Sequence, residues 1–399
     1  MPPSPRRAAA DDSSRQGHTA GALLAGVVTA LVGFSSSFAL VLTGLRAQGA
    51  TATQAASGLL VLCLAMALGM VVLNLRYRIP LILAWSTPGA ALLATTSGRT
   101  PDWSAAIGAF LVVAALTALT GLWPWLAQVM AAVPVTIANA MLAGVLIPIC
   151  ATAFSALGRT PLDVAPILVV WLLGYAFVRR WAVPLALVAA LVVVGLTLDR
   201  VPTAAELVPH LEWTTPTFDA QVLVGVAVPL FLVNLASQYA PGVAVMKTFG
   251  YVVPWRSTLL VTSAVSVAAA PFGGHAVNLA AISSALAASP EAHPDPRRRW
   301  AAALSAASSN VLLGLLATAA AFVLTNSPAA LLITVAALAL LGTLGNALRE
   351  SLVEPADREA AVITVVATAS GLSLLGIGSA FWGLAIGLTV RFVLRRVRR

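Results

Sequence analysis

From Gly21 to Arg395 the chain passes through one apolar stretch after another with only short polar interruptions. No motif constrains the fold as much as this pattern. In hydrocarbon no water reaches the backbone, so every N–H and C=O needs a partner within the protein, and only helices and closed barrels can span. The stretches are about 15 to 25 residues long, the length of spanning helices rather than of the roughly ten-residue alternating strands of a barrel. Hydrophobic residues make up 59% of the 399 and charged residues only 9%, with a mean hydropathy of +0.94. Soluble domains carry about 25% charged residues. The chain therefore reads as an all-α polytopic membrane protein.

Hydropathy alone leaves about 12 to 14 spans, and charge placement supports fourteen segments, 21–45, 52–74, 79–96, 104–123, 133–155, 162–178, 181–198, 222–246, 257–271, 273–288, 301–324, 328–347, 359–377 and 379–395. With the N-terminus inside, the outer side receives only Arg46, Arg99, Arg159 and Arg200, and the other 19 of the 23 basic residues fall on the inner side. Cytoplasmic loops are enriched in Lys and Arg, so both termini are expected in the cytoplasm of a cell with an inner membrane. The net charge of +9 is thus about topology. Its partners are membrane lipid, which the C-terminal RRVRR can also touch, and no nucleic acid. Residues 1–20 read as a disordered cytoplasmic tail. Residues 199–221, with Pro202, Pro209 and Pro216, form an extracytoplasmic linker between a first seven-segment repeat, 21–198, and a second, 222–395. Seven is odd, so the second repeat enters the membrane inverted.

Two segments are interrupted by glycine and proline, at Arg78–Thr96 and at Ser266–Leu286. Paired interruptions of this kind point to the binding site of a secondary transporter. In segment 3, Ile79–Trp85 reads as extended, with Ser86 or Thr87 as an N-cap, Pro88 at the first helical position and Gly89 after it. In segment 10, Pro271, Phe272, Gly273 and Gly274 keep the chain out of helix, and His275 or Ala276 is expected to start a half-helix. Two opposed half-helices would aim several unpaired N–H groups apiece at one point, which suits an anion. Simple kinks or close helix packing would produce the same residues.

All fourteen acidic residues fall in tails, loops or segment edges, and among the four histidines only His275 falls within a segment. An ionisable group at membrane depth is a functional candidate, and its ordinary pKa near 6.5 suits proton exchange. Its plain alternative is a neutral imidazole bonded to a carbonyl. Asn278, three residues on, and the pair Asn234 and Gln238 in segment 8 lie at helical spacing and offer amide donors, or equally interhelical clamps. Cys63 and Cys150 read as buried free thiols. Neither a metal site nor a cofactor is expected, and no cluster of catalytic groups suggests an enzyme.

At RYRIPLILAWSTPGAALL (Arg76 to Leu93), LASQYAPGVAVMKTFGY (Leu235 to Tyr251) and APFGGHAVNLAAISSAL (Ala270 to Leu286) the chain resembles the BenE family of benzoate/proton symporters. The resemblance implies a uracil-transporter-like fold of seven-plus-seven inverted repeats, with a core (segments 1–4 and 8–11) and a gate (5–7 and 12–14). It also implies short strands before the half-helices of segments 3 and 10, and a pocket between segments 3, 8 and 10 for an aromatic carboxylate and a proton. A homodimer is compatible with it. Where the wider superfamily's nucleobase carriers place a glutamate in segment 8, this chain has Asn234 and Gln238, which suits an anion better than a neutral base. Phe34, Trp85, Phe231 and Phe272 are the candidate walls for the ring. Purine, sulfate or bicarbonate carriers of the same fold, and a channel, are the other readings.

Overall fold

A computed structural model describes residues 5–95, 102–123, 134–178, 181–197, 203, 207–280, 282–326, 329–374 and 379–397. Arg99, Arg179, Arg180, Arg200, Arg398 and Arg399, used in the charge count, lie outside them, as do parts of the linker. The helices are α1 (Pro5–Ala47), α2 (Ala52–Tyr77), α3 (Thr87–Thr95), α4 (Trp103–Leu122), α5 (Val135–Arg159), α6 (Pro161–Phe177) and α7 (Ala182–Thr197) in the first half. In the second half they are α8 (Ala220–Thr248), α9 (Trp255–Ala269), α10 (Ile282–Ala288), α11 (Trp300–Gly314), α12 (Ala317–Asn326), α13 (Ala329–Ser351), α14 (Arg358–Ala369) and α15 (Ser379–Val397). α1 begins at Pro5, inside the stretch expected as a disordered tail. Among the described residues α1, α2, α4, α5 and α8 are long and apolar enough to cross a membrane alone, and α11 and α12 are long and apolar enough only as a pair, bent by 52° at the break between them.

Local chemistry sets several boundaries. Thr51 and Gln54 close a capping box at the start of α2, and Asp102 and Asp219 cap the starts of α4 and α8 through their side chains, satisfying N–H groups that the helix itself leaves free. α8 is not uniform: Leu223–Ala227 and Leu235–Tyr239 are π-helical turns.

Packing falls into two groups. α1, α2, α4, α9 and α11 pack on one another, with α3 against α1, while α5 packs on α13 and α14, α6 on α7, and α14 on α15. A separate apolar cluster holds Ala153, Ile167, Ala190, Val194 and Leu338 of the second group.

The two interrupted segments meet as a pair of short antiparallel strands, β1 (Leu83–Trp85) and β2 (Val277–Leu279), with Leu83 opposite Leu279, Ala84 opposite Asn278 and Trp85 opposite Val277. Each extended run is held by a buried side chain of the preceding helix. Asn74 of α2 accepts from the Leu81 N–H at 2.9 Å and donates to the Leu81 carbonyl at 2.8 Å; Ser266 of α9 accepts from the Val277 N–H at 2.9 Å. The ends of the half-helices are matched too. Gln48 donates to the Leu93 carbonyl of α3 and Arg299 to the Ala288 carbonyl of α10, both at 2.7 Å.

Candidate functional site

Segment 3 is built as its residues suggest. α2 ends at Arg78 in the left-handed conformation (φ 52°), Pro80 excludes helix, and the chain stays extended to Trp85. Ser86 is the N-cap of α3: its Oγ accepts from the Gly89 N–H at 2.9 Å and its carbonyl from the Ala90 N–H at 2.8 Å. Pro88 has no N–H. Of the first turn, Thr87 is left as the N–H not committed to Ser86, so this end offers fewer donors than an uncapped helix start. Gly89 sits where a Cβ would lie 2.5 Å from Leu230 of α8 and 2.7 Å from the Ser86 Oγ. α8 can approach α3 this closely only because Gly89 has no side chain.

Segment 10 departs from expectation. Pro271–Gly274 do not precede a half-helix; they terminate α9. The Gly274 N–H bonds to the Ala269 carbonyl at 3.0 Å and the Gly273 N–H to the Ala270 carbonyl at 2.8 Å, with Gly273 at φ +99°, the pattern of a Schellman C-cap. Gly273 packs against Gly58 of α2, Ser57 donates to the Phe272 carbonyl, and the linker closes over the turn where Thr214 bonds the Pro271 carbonyl. Phe272 stacks edge-to-face on Trp213 of the linker at 5.3 Å. Gly273, Gly274 and Phe272 thus belong to this turn and do not join the other candidates. The half-helix itself starts at Ile282, and His275 and Asn278 lie in and before β2 rather than on a helix face.

His275 is fully buried and its Nε2 lies 3.1 Å from the Ser86 carbonyl. This is the bond to a carbonyl that the plain reading of a buried histidine foresees, but its partner is the cap of the other interrupted segment. Phe110 of α4 meets the imidazole edge-on at 6.3 Å. Behind the strands lies a small cavity, lined by Val113, Ala114 and Thr117 of α4, Asn234 of α8, Ser263 and Ser266 of α9, and His275 to Asn278. It has room for about one water.

Asn234, Asn278 and His275 are therefore brought together, with Ser86 one bond away. Gln238 is not. The π turn at Leu235–Tyr239 closes i→i+5 bonds and rotates the residues that follow, so a four-residue spacing from Asn234 no longer means a shared face. Gln238 is half-buried away from the cavity. On the other side of the strands, Phe34 stacks on Phe38 at 5.3 Å and meets Trp85 edge-to-face at 5.8 Å, while the Trp85 indole donates to Ser37 at 2.8 Å. Phe231 is buried in the main core. Ser35 and Ser36 bond back to carbonyls of their own helix.

Three contributors were not singled out from the sequence. Ser263 and Ser266 belong to a polar stripe at helical spacing, Thr258, Thr262 and Ser266 with Ser263 beside it, legible in the run TLLVTSAVS. Tyr239, fully buried, shares a 2.6 Å hydrogen bond with Thr262 and donates to the Val277 carbonyl at 3.3 Å. Among the described residues no cluster of three His, Cys, Asp or Glu side chains has the arrangement of a metal site.

A family model described as benzoate membrane transport protein matches residues 16–393. The chain is 41% identical over 367 residues to the inner membrane protein YdcO of Escherichia coli K12, covering 92% of this chain and 93% of that one. To the benzoate membrane transport protein of Acinetobacter baylyi it is 27% identical over 381 residues, 95% of this chain and 96% of that one. Among solved structures, the transmembrane domain of the cyanobacterial bicarbonate transporter BicA aligns with a TM-score of 0.57 at 15% identity, covering 94% of this chain and 96% of that one. Murine Slc26a9, an anion transporter in its inward-facing state, aligns at 0.59 and 12% identity over 94% of this chain and 68% of its own. At these identities the structural likeness concerns the fold.

Proposed function

The chain belongs to the family of benzoate membrane transport proteins, and from that premise we propose that it imports benzoate or a related aromatic carboxylate together with a proton. The family and the fold make it a multi-pass inner-membrane transporter. The observation that carries the finer reading is the strand pair itself: two opposed chain segments meet beside the start of α3, where the Thr87 N–H is not committed to the Ser86 cap, and the polar side chains around them, His275, Asn234 and Asn278, include no acidic group. An anion is the ligand such a site favours.

In this reading the carboxylate lies at the start of α3, facing α10, and the ring rests against Phe34 and Trp85. His275 is the coupling residue. Fourteen crossings in two inverted repeats form a core (segments 1–4 and 8–11) that moves against a gate (segments 5–7 and 12–14), with both termini in the cytoplasm. Two opposed repeats give alternating access without remaking the site.

Uptake of labelled benzoate into proteoliposomes under an imposed pH gradient tests it. Saturable accumulation that collapses with a protonophore is expected, with weak competition from purine, sulfate and bicarbonate. His275→Ala is expected to abolish or uncouple it. Lack of saturable benzoate uptake would sink the substrate assignment, and an unchanged proton dependence in His275→Ala would remove that residue from coupling.

A further inference from the structure

Among the described residues seven polar atoms of buried side chains have no hydrogen-bond partner; Thr258 Oγ1 and Thr368 Oγ1 lie elsewhere, and the other five belong to residues that line the small cavity behind the strands: both amide atoms of Asn234, Ser263 Oγ, His275 Nδ1 and Asn278 Nδ2. Buried polar groups are otherwise nearly always satisfied. We propose that this cavity is the proton site, separate from the carboxylate site on the far side of the strand pair, and that it holds one water between His275 Nδ1, Asn234 and Ser263. The proposal rests on the reading of the protein as a proton-coupled carrier.

The tautomer follows from the geometry. A carbonyl oxygen only accepts, so the 3.1 Å contact between Nε2 and the Ser86 carbonyl requires Nε2 to carry hydrogen. The neutral ring then presents a bare Nδ1 lone pair to the cavity. A hydronium reaching it transfers one proton: an O–H bond breaks, the Nδ1–H bond forms, and the remaining water accepts from Nδ1–H while donating to Asn234 Oδ1 and Ser263 Oγ. Asn278 Nδ2 can donate to the same water. A single water makes about three such bonds in a buried site.

The groups facing the imidazole carry no compensating charge. α4 presents Phe110, Val113, Ala114 and Thr117, α8 presents Asn234, and α9 presents Ser263 and Ser266. Tyr239, bonded to Thr262 and the Val277 carbonyl, is a neutral titratable side chain held against β2. An imidazolium here therefore depends on an anion nearby, and the Nε2–H···O bond links it directly to the residue that caps α3, where the carboxylate is placed. Proton and carboxylate each raise the affinity for the other, as linkage requires. This assigns Asn234, Ser263 and Asn278 to the proton rather than to the substrate.

Calorimetric titration of benzoate into purified protein, repeated in buffers of different ionisation enthalpy, reads the protons taken up per benzoate bound. The wild type is expected to take up about one at neutral pH, with affinity falling roughly tenfold per pH unit above neutrality. His275→Gln, and Ser263→Val, which crowds the cavity, are expected to bring the uptake near zero and flatten the pH dependence. Thermal unfolding of each variant checks its fold, and Ser263→Ala, which removes the hydroxyl without adding bulk, is expected to lower the uptake partially. About one proton retained in both His275→Gln and Ser263→Val overturns the proton site while leaving symport standing. A wild type that binds no benzoate overturns the substrate reading instead.

Discussion

Substituting Asn74 by alanine removes the side chain that holds the extended run before β1. Asn74 is fully buried, and its amide bonds both backbone groups of Leu81, at 2.8 and 2.9 Å, plus the Met70 carbonyl of its own helix at 2.8 Å. The Met70 carbonyl keeps its helical partner, so its loss costs little. The Leu81 C=O loses the donor Asn74 supplied, at about 1–3 kcal/mol, while the Leu81 N–H keeps its bond to the Ile79 carbonyl at 2.8 Å and loses less. Some water entry into the space vacated offsets part of this, giving about 2 kcal/mol in total and a fall of roughly 2–3 °C in unfolding temperature. Asn310→Ala is the internal control, because the Asn310 amide bonds only to the Ala306 carbonyl of its own helix, and a drop of about 1 kcal/mol or less is expected there. Thermal unfolding of the two variants in detergent, alongside uptake per folded molecule, makes the comparison. Uptake in Asn74→Ala should fall further than the folded fraction does, since β1 carries Ser86 and through it the bond to His275. Equal thermal shifts in the two variants would show that the clamp on Leu81 contributes nothing.

Gly89→Ala places a methyl against Leu230 and the Ser86 Oγ; uptake is expected to drop at least tenfold with a thermal shift of only a few degrees, and near-normal uptake would show that the α3–α8 approach is not needed. Asp357, buried before α14, accepts from Arg391 Nε at 2.8 Å and Thr136 at 3.0 Å and pairs with Arg395 at 3.0 Å. Burial opposes its ionisation, but the bonds from Arg391 and Thr136 and the two guanidinium charges outweigh this and hold its pKa below the ordinary 3.8. Its stabilisation is thus present above about 3.8 and lost as pH falls through the lower folded value. Asp357→Asn is expected to destabilise by about 2 kcal/mol at pH 7 and by much less at pH 3 in denaturant titrations, the exposure of Arg395 limiting the size; a gap that does not narrow in acid contradicts it. Gln48→Leu and Arg299→Leu each remove a side-chain donor from a half-helix carbonyl, and the arginine variant should lose more, about 3 against 1 kcal/mol by thermal unfolding, because it also removes the donor to two further carbonyls, of His293 and Pro294.

How far the site could be read beforehand depended on which signals were local. In segment 3 the Ile79–Trp85 run, the Ser86 cap and Pro88 sit within eleven residues, and the chain folds there as they indicate. In segment 10 the same residue types were misassigned. Glycine after proline serves a helix stop as well as a start, and the Schellman bonds of Gly273 and Gly274 to carbonyls three and five residues back show it is a stop. The spacing of Asn234 and Gln238 failed for a different reason: a π turn changes the residue count per turn, and nothing in LASQY announces it.

What the amino-acid order settled alone was the solvent of this protein and the local course of segment 3, because apolar length, caps and proline act within one or two turns. The resemblance added the strands before the half-helices. The tertiary structure decided how those strands pair, that His275 bonds a carbonyl 189 positions away, and that Asn234, Ser263 and Asn278 turn their unpartnered groups into one cavity. These contacts join segments on different helices, and their energies exist only once the segments have packed. A residue's own neighbours in sequence carry no record of that placement.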